Sequence, residues 1–161
     1  MVTEKTIREI LSEVKDPEIP VLSLEDMGII RDITISSPTE IIVTITPTYS
    51  GCPAMDTIAD DIESALMEAG FSPTVKTTLD PPWTTDWMSE EGRKKLEDYG
   101  IAPPQKGSHN KRSLFGKAPE VRCPHCKSMN TAMLSQFGST PCKSLYKCQD
   151  CFEPFDYFKC I

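Results

Sequence analysis

Two Cys-x-x-Cys pairs near the C-terminus constrain the fold of this chain more than any other feature of its sequence. Cys123 and Cys126 form the first pair, Cys148 and Cys151 form the second, and 21 residues separate the pairs. Two residues between cysteines allow a tight turn to present both sulfurs to one ion, and two such turns complete a tetrahedral site. We therefore predict a C-terminal zinc ribbon, residues 120–161, held by these four thiolates.

The predicted ion is structural. A segment of about 40 residues buries too little apolar surface to fold alone, so metal binding supplies the missing stability. A closed four-thiolate site also leaves no open position for water or substrate. Iron held as in rubredoxins is the alternative to zinc, because thiolate coordination does not discriminate between the two metals. Unligated surface cysteines are the competing interpretation of the two pairs.

The remaining polar candidates near the ribbon are Cys142, Cys160 and His125. Either cysteine is able to substitute as a ligand, to form a second partial site or to serve as a small buried hydrophobe, and we favour burial for both. His125 lies inside the first pair, but four thiolates already satisfy the ion, so we expect it to be exposed. Seven cysteines, an odd number, without a signal peptide indicate reduced thiols and a cytoplasmic protein.

Charge is distributed unevenly along the chain, whose net charge is −7. Residues 1–105 carry 8 Lys and Arg against 20 Asp and Glu, whereas residues 106–161 carry 9 against 4. This asymmetry is typical of a protein that docks on other proteins, and the acidic part repels polyanions. We expect neither nucleic acid nor a membrane as a partner. The basic end keeps a zinc-ribbon nucleic-acid binder open as an alternative.

The first hundred residues alternate between helical and extended patterns. Thr3 caps a predicted helix of about three turns, and a second helix ends at Gly70. Residues 29–35 and 40–46 form a predicted hairpin, and Val75, Thr77 and Leu79 alternate as a third strand. The order helix, strand, strand, helix, strand predicts an α+β fold, a two-layer helix/sheet sandwich, with a sheet that is mainly antiparallel where the hairpin closes it.

The sandwich continues into an arm that contains both tryptophans and a short amphipathic helix around residues 90–99. We expect this arm to pack on the first domain, which then spans residues 1–104. Residues 105–119 are polar and rich in Gly, Ser, Asn and Lys, which is typical of a linker. The predicted organisation is thus one α+β domain, a linker and the ribbon at residues 120–161.

Cys52 is the candidate functional residue of the larger domain. It lies between a strand and a helix, with Pro53 preset for the first helical turn, so we expect its thiolate to be stabilised and its pKa lowered by the helix N-terminus. Such a thiol suits reversible binding of a soft metal or attack on an electrophile. A partly buried cap residue is the alternative. Asp16 and Glu18 are further candidates for this site, although carboxylates in a turn also serve as caps.

Three segments of the chain carry a family resemblance. Asp16-Pro-Glu-Ile-Pro20, Asp26-Met-Gly-Ile-Ile-Arg-Asp-Ile33 and Thr48-Tyr-Ser-Gly-Cys-Pro53 resemble the MIP18 (DUF59) family of iron–sulfur assembly factors. Pro82-Trp-Thr-Thr-Asp-Trp-Met-Ser89 and the ribbon, with its Phe137-Gly-Ser-Thr140 segment, extend the similarity to the D-subunit family of the phenylacetyl-CoA epoxidase system. The second resemblance spans nearly the whole chain.

The resemblance implies an accessory role rather than an oxygenase. Cys52 matches the family's cysteine before proline, and Asp16 and Glu18 match its acidic pair. A transient iron ion or iron–sulfur cluster at Cys52 is implied, with oxygenase and reductase subunits or iron–sulfur assembly proteins as partners, and a homodimer as a further expectation. A non-catalytic bridging subunit is the alternative. A thiol enzyme has weaker support, because the chain's two histidines, His109 and His125, lie outside the first domain.

Overall fold

The structure is a computed structural model that describes residues 1–49, 51–104 and 120–158. The chain divides into two compact units, the first made of Met1–Trp83 with Trp87–Gly92 and the second made of Thr84–Asp86 with the chain from Arg93 onward. The first unit contains helices and a three-stranded sheet, and the second contains a four-stranded sheet. This confirms the predicted α+β fold with a C-terminal ribbon. No helix among the described residues has the length and apolar character needed to cross a membrane.

The N-terminal helix, α1, spans Glu4–Leu11 and is shorter than predicted. The side chain of Thr3 caps it by accepting a hydrogen bond from the Thr6 amide at 3.2 Å. Ile7 and Leu11 lie on one face and are fully buried, which anchors the helix to the core of the first unit. The chain leaves the helix at Leu11 and turns, so α1 makes about two turns, not the three that were predicted.

A short second helix, α2, spans Leu24–Met27 and was not predicted. Its ends carry the signals that would have revealed it. Ser23 and Asp26 cap each other's backbone amides in a capping box, and Gly28 ends the helix with a left-handed φ of 70°. Four residues are too few to show helical periodicity, so the caps were the remaining clue.

The sheet of the first unit consists of β1 (Ile30–Ile35), β2 (Glu40–Ile45) and β3 (Ser72–Thr77). β1 and β2 form the predicted antiparallel hairpin. β3 runs parallel to β2, because the helix α3 (Met55–Glu68) carries the chain back to the end of the sheet where β2 begins. The sheet and α3 bury apolar side chains from both elements: Ile41, Val43, Ile45, Ile58, Ile62 and Leu66.

The tryptophan segment packs on the α2 turn within the first unit. Trp83 is buried, and its Nε1 donates a hydrogen bond to the Met27 carbonyl at 2.8 Å. The guanidinium of Arg31 lies 3.4 Å from the centre of the Trp87 ring, a cation–π contact. A Cβ at Gly28 would lie 2.5 Å from the Trp87 carbonyl oxygen, so glycine is required there on steric grounds. The tryptophan segment therefore packs directly against the turn that Gly28 forms.

The predicted amphipathic helix is present as α4, Glu90–Asp98. The division between the two units falls inside it, after Gly92. The strand β4, Ile101–Ala102, follows and pairs in parallel with β7, Pro154–Phe158. Residues 93–104 thus belong to the ribbon's unit, whereas the sequence analysis placed them with the first domain.

Backbone hydrogen bonds and one buried arginine explain where this segment lies. Arg93 is buried, and its guanidinium donates to the carbonyls of Thr85 and Pro104. Hydrogen bonds from a charged guanidinium are stronger than those from a neutral donor, so Arg93 fixes both ends of the segment. The pairing of β4 with β7 joins residues more than fifty positions apart, which sequence periodicity does not reveal. The linker predicted at residues 105–119 lies outside the described residues.

The ribbon sheet has the strand order β4-β7-β6-β5, with β5 spanning Thr131–Ser135 and β6 spanning Lys143–Cys148. Antiparallel pairing joins β5 to β6 and β6 to β7. The core of this unit combines aromatic side chains with two cysteines of the Cys-x-x-Cys pairs: Ala102, Val121, Cys123, Tyr146, Cys148, Phe155 and Tyr157. Tyr146 lies at its centre, in contact with the rings of Phe155 and Tyr157 at centroid distances of 5.9 and 5.7 Å.

Candidate metal centre and cysteine site

The two Cys-x-x-Cys pairs meet at one point of the ribbon. The four sulfurs of Cys123, Cys126, Cys148 and Cys151 all lie within 4.8 Å of one another. Across the pairs, Cys123 and Cys151 are 3.8 Å apart and Cys126 and Cys148 are 3.5 Å apart, measured between Sγ atoms. Metal–sulfur bonds of about 2.3 Å in a tetrahedron require sulfurs about 3.8 Å apart. The four residues therefore fit a single four-coordinate metal ion.

The two turns that present these sulfurs share a left-handed residue at the same position. Lys127 follows Cys126 with a φ of 66°, and Phe152 follows Cys151 with a φ of 63°. Both are left-handed conformations that cost non-glycine residues about 1–2 kcal/mol each. Since the strained residue directly follows the second cysteine of each pair, the strain is part of how the two turns direct their sulfurs to one point.

Backbone amides tune the sulfurs of the second pair. The amides of Cys151 and Asp150 donate to the Cys148 sulfur at 3.5 and 3.4 Å and lower the pKa of that thiol to about 7. A hydrogen bond from the Glu153 amide lowers the pKa of the Cys151 thiol. Burial and the neighbouring thiols outweigh this effect and raise the pKa to about 12. Four crowded sulfurs do not all ionise by themselves, so a cation is needed to hold them as thiolates.

The other ribbon candidates lie outside this cluster. His125 is exposed and contributes no atom to the four-sulfur cluster. Cys142 is buried, and its sulfur lies 3.0 Å from the hydroxyl oxygen of Thr140. Cys160 lies outside the described residues.

Cys52 lies in the turn that precedes α3. Its amide donates to the Tyr49 carbonyl at 3.3 Å, and its carbonyl accepts from the Met55 amide at 3.3 Å. The helix begins at Met55, and its N-cap residue, Ala54, makes no capping hydrogen bond through its side chain. The thiol is half-buried, and the Ala54 amide donates to its sulfur. Cys52 is thus held by turn geometry at the approach to the helix.

The predicted lowering of the Cys52 pKa is wrong. Burial raises the pKa of this thiol, and the negative charges of Glu18 and Asp16 raise it further. The Ala54 amide and the Tyr49 side chain lower the pKa but do not reverse the shift. The helix-dipole argument failed because it left out the burial of the thiol, which is the largest effect, and two carboxylates that lie more than thirty residues away in the sequence.

The turn at residues 16–19 brings both acidic candidates to Cys52. Asp16 is buried, and its Oδ1 accepts hydrogen bonds from the amides of Glu18 and Ile19, each at 2.8 Å. Asp16 therefore shapes this turn, which was the alternative role considered for it. Glu18 is half-buried and contributes the larger of the two charge effects on the thiol.

Tyr49 is the site residue that sequence reasoning missed. Its side chain lowers the pKa of the Cys52 thiol and so favours the thiolate. The signal was its position three residues before Cys52, since a turn closes over that spacing and returns the first side chain towards the last.

Comparisons with known proteins agree with this architecture. A family model described as an iron–sulfur cluster assembly protein matches residues 4–75, and one described as the PaaD zinc beta ribbon domain matches residues 107–159. A crystal structure of a DUF59 domain of unknown function from Bacillus anthracis superposes with a TM-score of 0.54 and 26% identity, covering 58% of this chain and 90% of that one. The class defined by fold and site is therefore an iron–sulfur assembly-type domain joined to a four-cysteine ribbon.

Two curated relatives narrow that class. The chain is 49% identical over 153 residues to an Escherichia coli (strain K12) protein named as the putative D subunit of 1,2-phenylacetyl-CoA epoxidase, covering 94% of this chain and 90% of that protein. It is 36% identical over 96 residues to a Porphyromonas gingivalis "Fe-S protein maturation auxiliary factor", covering 58% of this chain and 90% of that protein. The chain belongs to the D-subunit family of phenylacetyl-CoA epoxidases.

Proposed function

We propose that this chain is an accessory maturation factor for a multicomponent phenylacetyl-CoA epoxidase, and that Cys52 transiently holds iron or an iron–sulfur cluster bound for the oxygenase or reductase subunits. The observation that carries the proposal is the grouping of Cys52 with Glu18, Asp16 and Tyr49 in the domain of the iron–sulfur assembly type. Relatives named as maturation auxiliary factors share that domain.

The charge environment of Cys52 suits reversible capture of a cation. With its pKa raised by burial and by two carboxylates, the side chain is a neutral thiol at pH 7. An arriving iron ion favours loss of the proton, and the same carboxylates that oppose a bare thiolate attract the cation. When the metal leaves, the sulfur is protonated again and does not hold it. The site therefore releases its cargo more readily than a cluster of thiolates would.

The same environment argues against a thiol enzyme. A nucleophilic cysteine needs a lowered pKa or an adjacent base, and Cys52 has neither a lowered pKa nor a histidine within residues 1–104. The relatives' names, a subunit and auxiliary factors, also indicate an accessory protein. We infer that catalysis belongs to the partner subunits.

We further propose that the ribbon metal is zinc and that its role is structural. The separations of 3.5 and 3.8 Å across the pairs fit a tetrahedral ion, and four thiolates leave no position for a substrate. Zinc bound by Cys123, Cys126, Cys148 and Cys151 would supply folding energy to a unit whose core is small. Elemental analysis of protein purified without oxygen distinguishes zinc from iron in this site.

The maturation proposal is tested by co-expressing the chain with the oxygenase and reductase subunits. Cys52→Ser is expected to leave zinc content and folding unchanged while it lowers the iron content of the purified partners. Cys142→Ser is the matched control, because it makes the same substitution at another thiol, one that is buried and lies outside the four-sulfur cluster. It is expected to leave the partners' iron content at the wild-type level.

One result would reject the maturation role. Equal iron content of the partners with wild type and Cys52→Ser would mean that this cysteine does not deliver their iron. If the chain then still co-purified with the oxygenase and reductase subunits, it would be a non-catalytic bridging subunit instead. A fall in iron content with both serine variants would point to a general loss of folded protein and not to the Cys52 site.

A further inference from the structure

The first Cys-x-x-Cys turn contains the most accessible cysteine of the metal centre. Cys126 is exposed, whereas Cys123 and Cys148 are buried and Cys151 is half-buried. A competing ligand must displace the four sulfurs one at a time, and it reaches an exposed sulfur first. The contacts that hold the turn around Cys126 therefore govern how firmly the ribbon keeps its ion.

One carboxylate on α4 binds cations at both ends of this turn. The Glu97 Oε1 accepts a hydrogen bond from the Lys127 Nζ at 2.6 Å and lies 3.6 Å from a guanidinium nitrogen of Arg122. Arg122 directly precedes the first cysteine of the pair, and Lys127 directly follows the second. All three residues belong to the second unit. A single carboxylate oxygen thus connects both ends of the turn to one helix.

Lys127 also makes contacts inside the turn. Its Nζ donates to the Pro124 carbonyl at 2.9 Å, and its backbone amide donates to the Cys123 carbonyl at 3.0 Å. Its φ of 66° is a strained conformation that persists only where surrounding contacts hold it. The chain after α4 packs on the same turn, since a Cβ added at Gly100 would lie 3.4 Å from the His125 Cε1. Contacts from outside the cysteine pair thus support a strained turn.

This carboxylate differs from one partner of an ordinary surface ion pair. Isolated pairs at the surface contribute little, whereas networks of several charges contribute more. Glu97 is 27% exposed and serves two cations, so its removal frees two side chains that flank the turn. Its effect is therefore expected on the geometry of the turn that presents Cys126.

We propose that Glu97 is a positioning residue of the ribbon metal centre, which holds the first turn through Lys127 and Arg122 and so slows the loss of the ion. This inference rests on the proposal that the ribbon binds zinc. Residues beyond the ligands orient the ligating atoms, and their substitution typically changes metal affinity by about 10–100-fold.

A simple charge effect would act in the opposite direction. Four thiolates outweigh the charge of a divalent ion, so the complex is negative and a neighbouring carboxylate disfavours it. Removal of Glu97 would then slow metal loss. If Glu97 holds the turn, its removal speeds metal loss. The direction of the change therefore separates the two effects.

Zinc release from the full chain tests the proposal. The zinc-loaded protein is mixed with an excess of chelator, and release is followed with a zinc-binding dye. We expect Glu97→Gln to release zinc about tenfold faster than the wild type. Asp98→Asn is the matched control, since it removes the same charge at an exposed side chain one residue further along α4. It is expected to release zinc at the wild-type rate. Circular dichroism and zinc content before mixing establish that the variants are folded and loaded.

Variants of the two cations test whether Glu97 acts through them. Lys127→Gln is expected to release zinc at least as fast as Glu97→Gln, and the double variant should show less than the product of the two single effects. Arg122→Gln keeps the shorter contact to Glu97, so a smaller acceleration is expected, which remains measurable if Glu97→Gln loses its zinc during purification. In about 1 M salt the rates of wild type and Glu97→Gln should converge, because salt screens ion pairs that solvent reaches.

The proposal is overturned if Glu97→Gln releases zinc at the wild-type rate or more slowly. It is also overturned if Asp98→Asn accelerates release as much as Glu97→Gln does. A wild-type chain that takes up no zinc would overturn the ribbon-metal proposal and this inference with it, and elemental analysis shows that result before any release is measured. None of these outcomes involves Cys52, so the maturation role is tested separately.

Discussion

Gly28 offers a sharp test of how the first unit is held together. It combines two demands on the backbone, a φ of +70° at the end of α2 and direct contact with the segment that carries Trp87. A Cβ added at this position would lie 2.5 Å from the Trp87 carbonyl oxygen and 2.8 Å from the Trp87 Cβ. The obstacle is mostly backbone, so it does not rotate away. Gly28→Ala therefore requires the tryptophan segment to move.

The magnitude follows from two separable costs. Placing alanine in a left-handed conformation costs about 1–2 kcal/mol. Forcing a methyl group into occupied space adds about 1–3 kcal/mol. Gly70 isolates the first cost, because its φ is +91° and a methyl group added there would meet nothing within 4 Å. We expect Gly70→Ala to lose only the conformational part, and Gly28→Ala to lose about 2–5 kcal/mol in total.

Urea unfolding followed by tryptophan fluorescence measures both variants. The two tryptophans, Trp83 and Trp87, both belong to the first unit, so the signal reports that unit. With a denaturant slope of about 2 kcal/mol per molar, the midpoint of Gly28→Ala should lie about 0.5–1.5 M below that of Gly70→Ala. Equal midpoints for the two variants would refute the reasoning, since they would mean that the close contact at Trp87 contributes nothing.

Two further predictions concern the cysteine sites. Removing the metal with a chelator should abolish amide-exchange protection in β6 and β7 while that of β1 and β2 persists, because metal binding contributes about 10–16 kcal/mol to small thiolate sites; a ribbon that keeps its protection without metal would contradict this. Alkylation of Cys52, followed by peptide mass spectrometry across pH, should have a midpoint above the ordinary thiol value, because its pKa is raised. Glu18→Gln should lower that midpoint by removing a negative charge, whereas Glu40→Gln should not; a wild-type midpoint at or below the ordinary value would contradict the raised pKa, and an unchanged midpoint in Glu18→Gln would contradict the carboxylate effect.

The sequence predicted those features that depend on local pattern. The hairpin of β1 and β2 follows from two β-branched runs joined by a turn, and the four-sulfur cluster follows from the spacing of its cysteines. The hairpin needs only neighbouring residues, and each cysteine pair marks its own turn by its spacing. The capping role of Thr3 was predicted for the same reason.

Features that depend on distant contacts were not predicted. The pairing of β4 with β7 and the parallel alignment of β3 with β2 both join separate parts of the chain. The Cys52 pKa was predicted with the wrong sign because local reasoning included the following helix but neither the burial of the thiol nor Glu18. In each case the missing information was which distant residues the fold brings close.

The two cysteine sites differ in a way that bears on the proposed function. In the ribbon, backbone amides lower the pKa of Cys148 to about 7, and three more sulfurs lie within 4.8 Å to complete the coordination. At Cys52, two carboxylates and burial favour the neutral thiol. A metal bound by four converging thiolates exchanges slowly, because every ligand must be displaced, whereas a single thiol that regains its proton releases its metal at once. If the chain handles iron, it is therefore the isolated thiol of the assembly-type domain that suits transfer, while the ribbon metal stays in place.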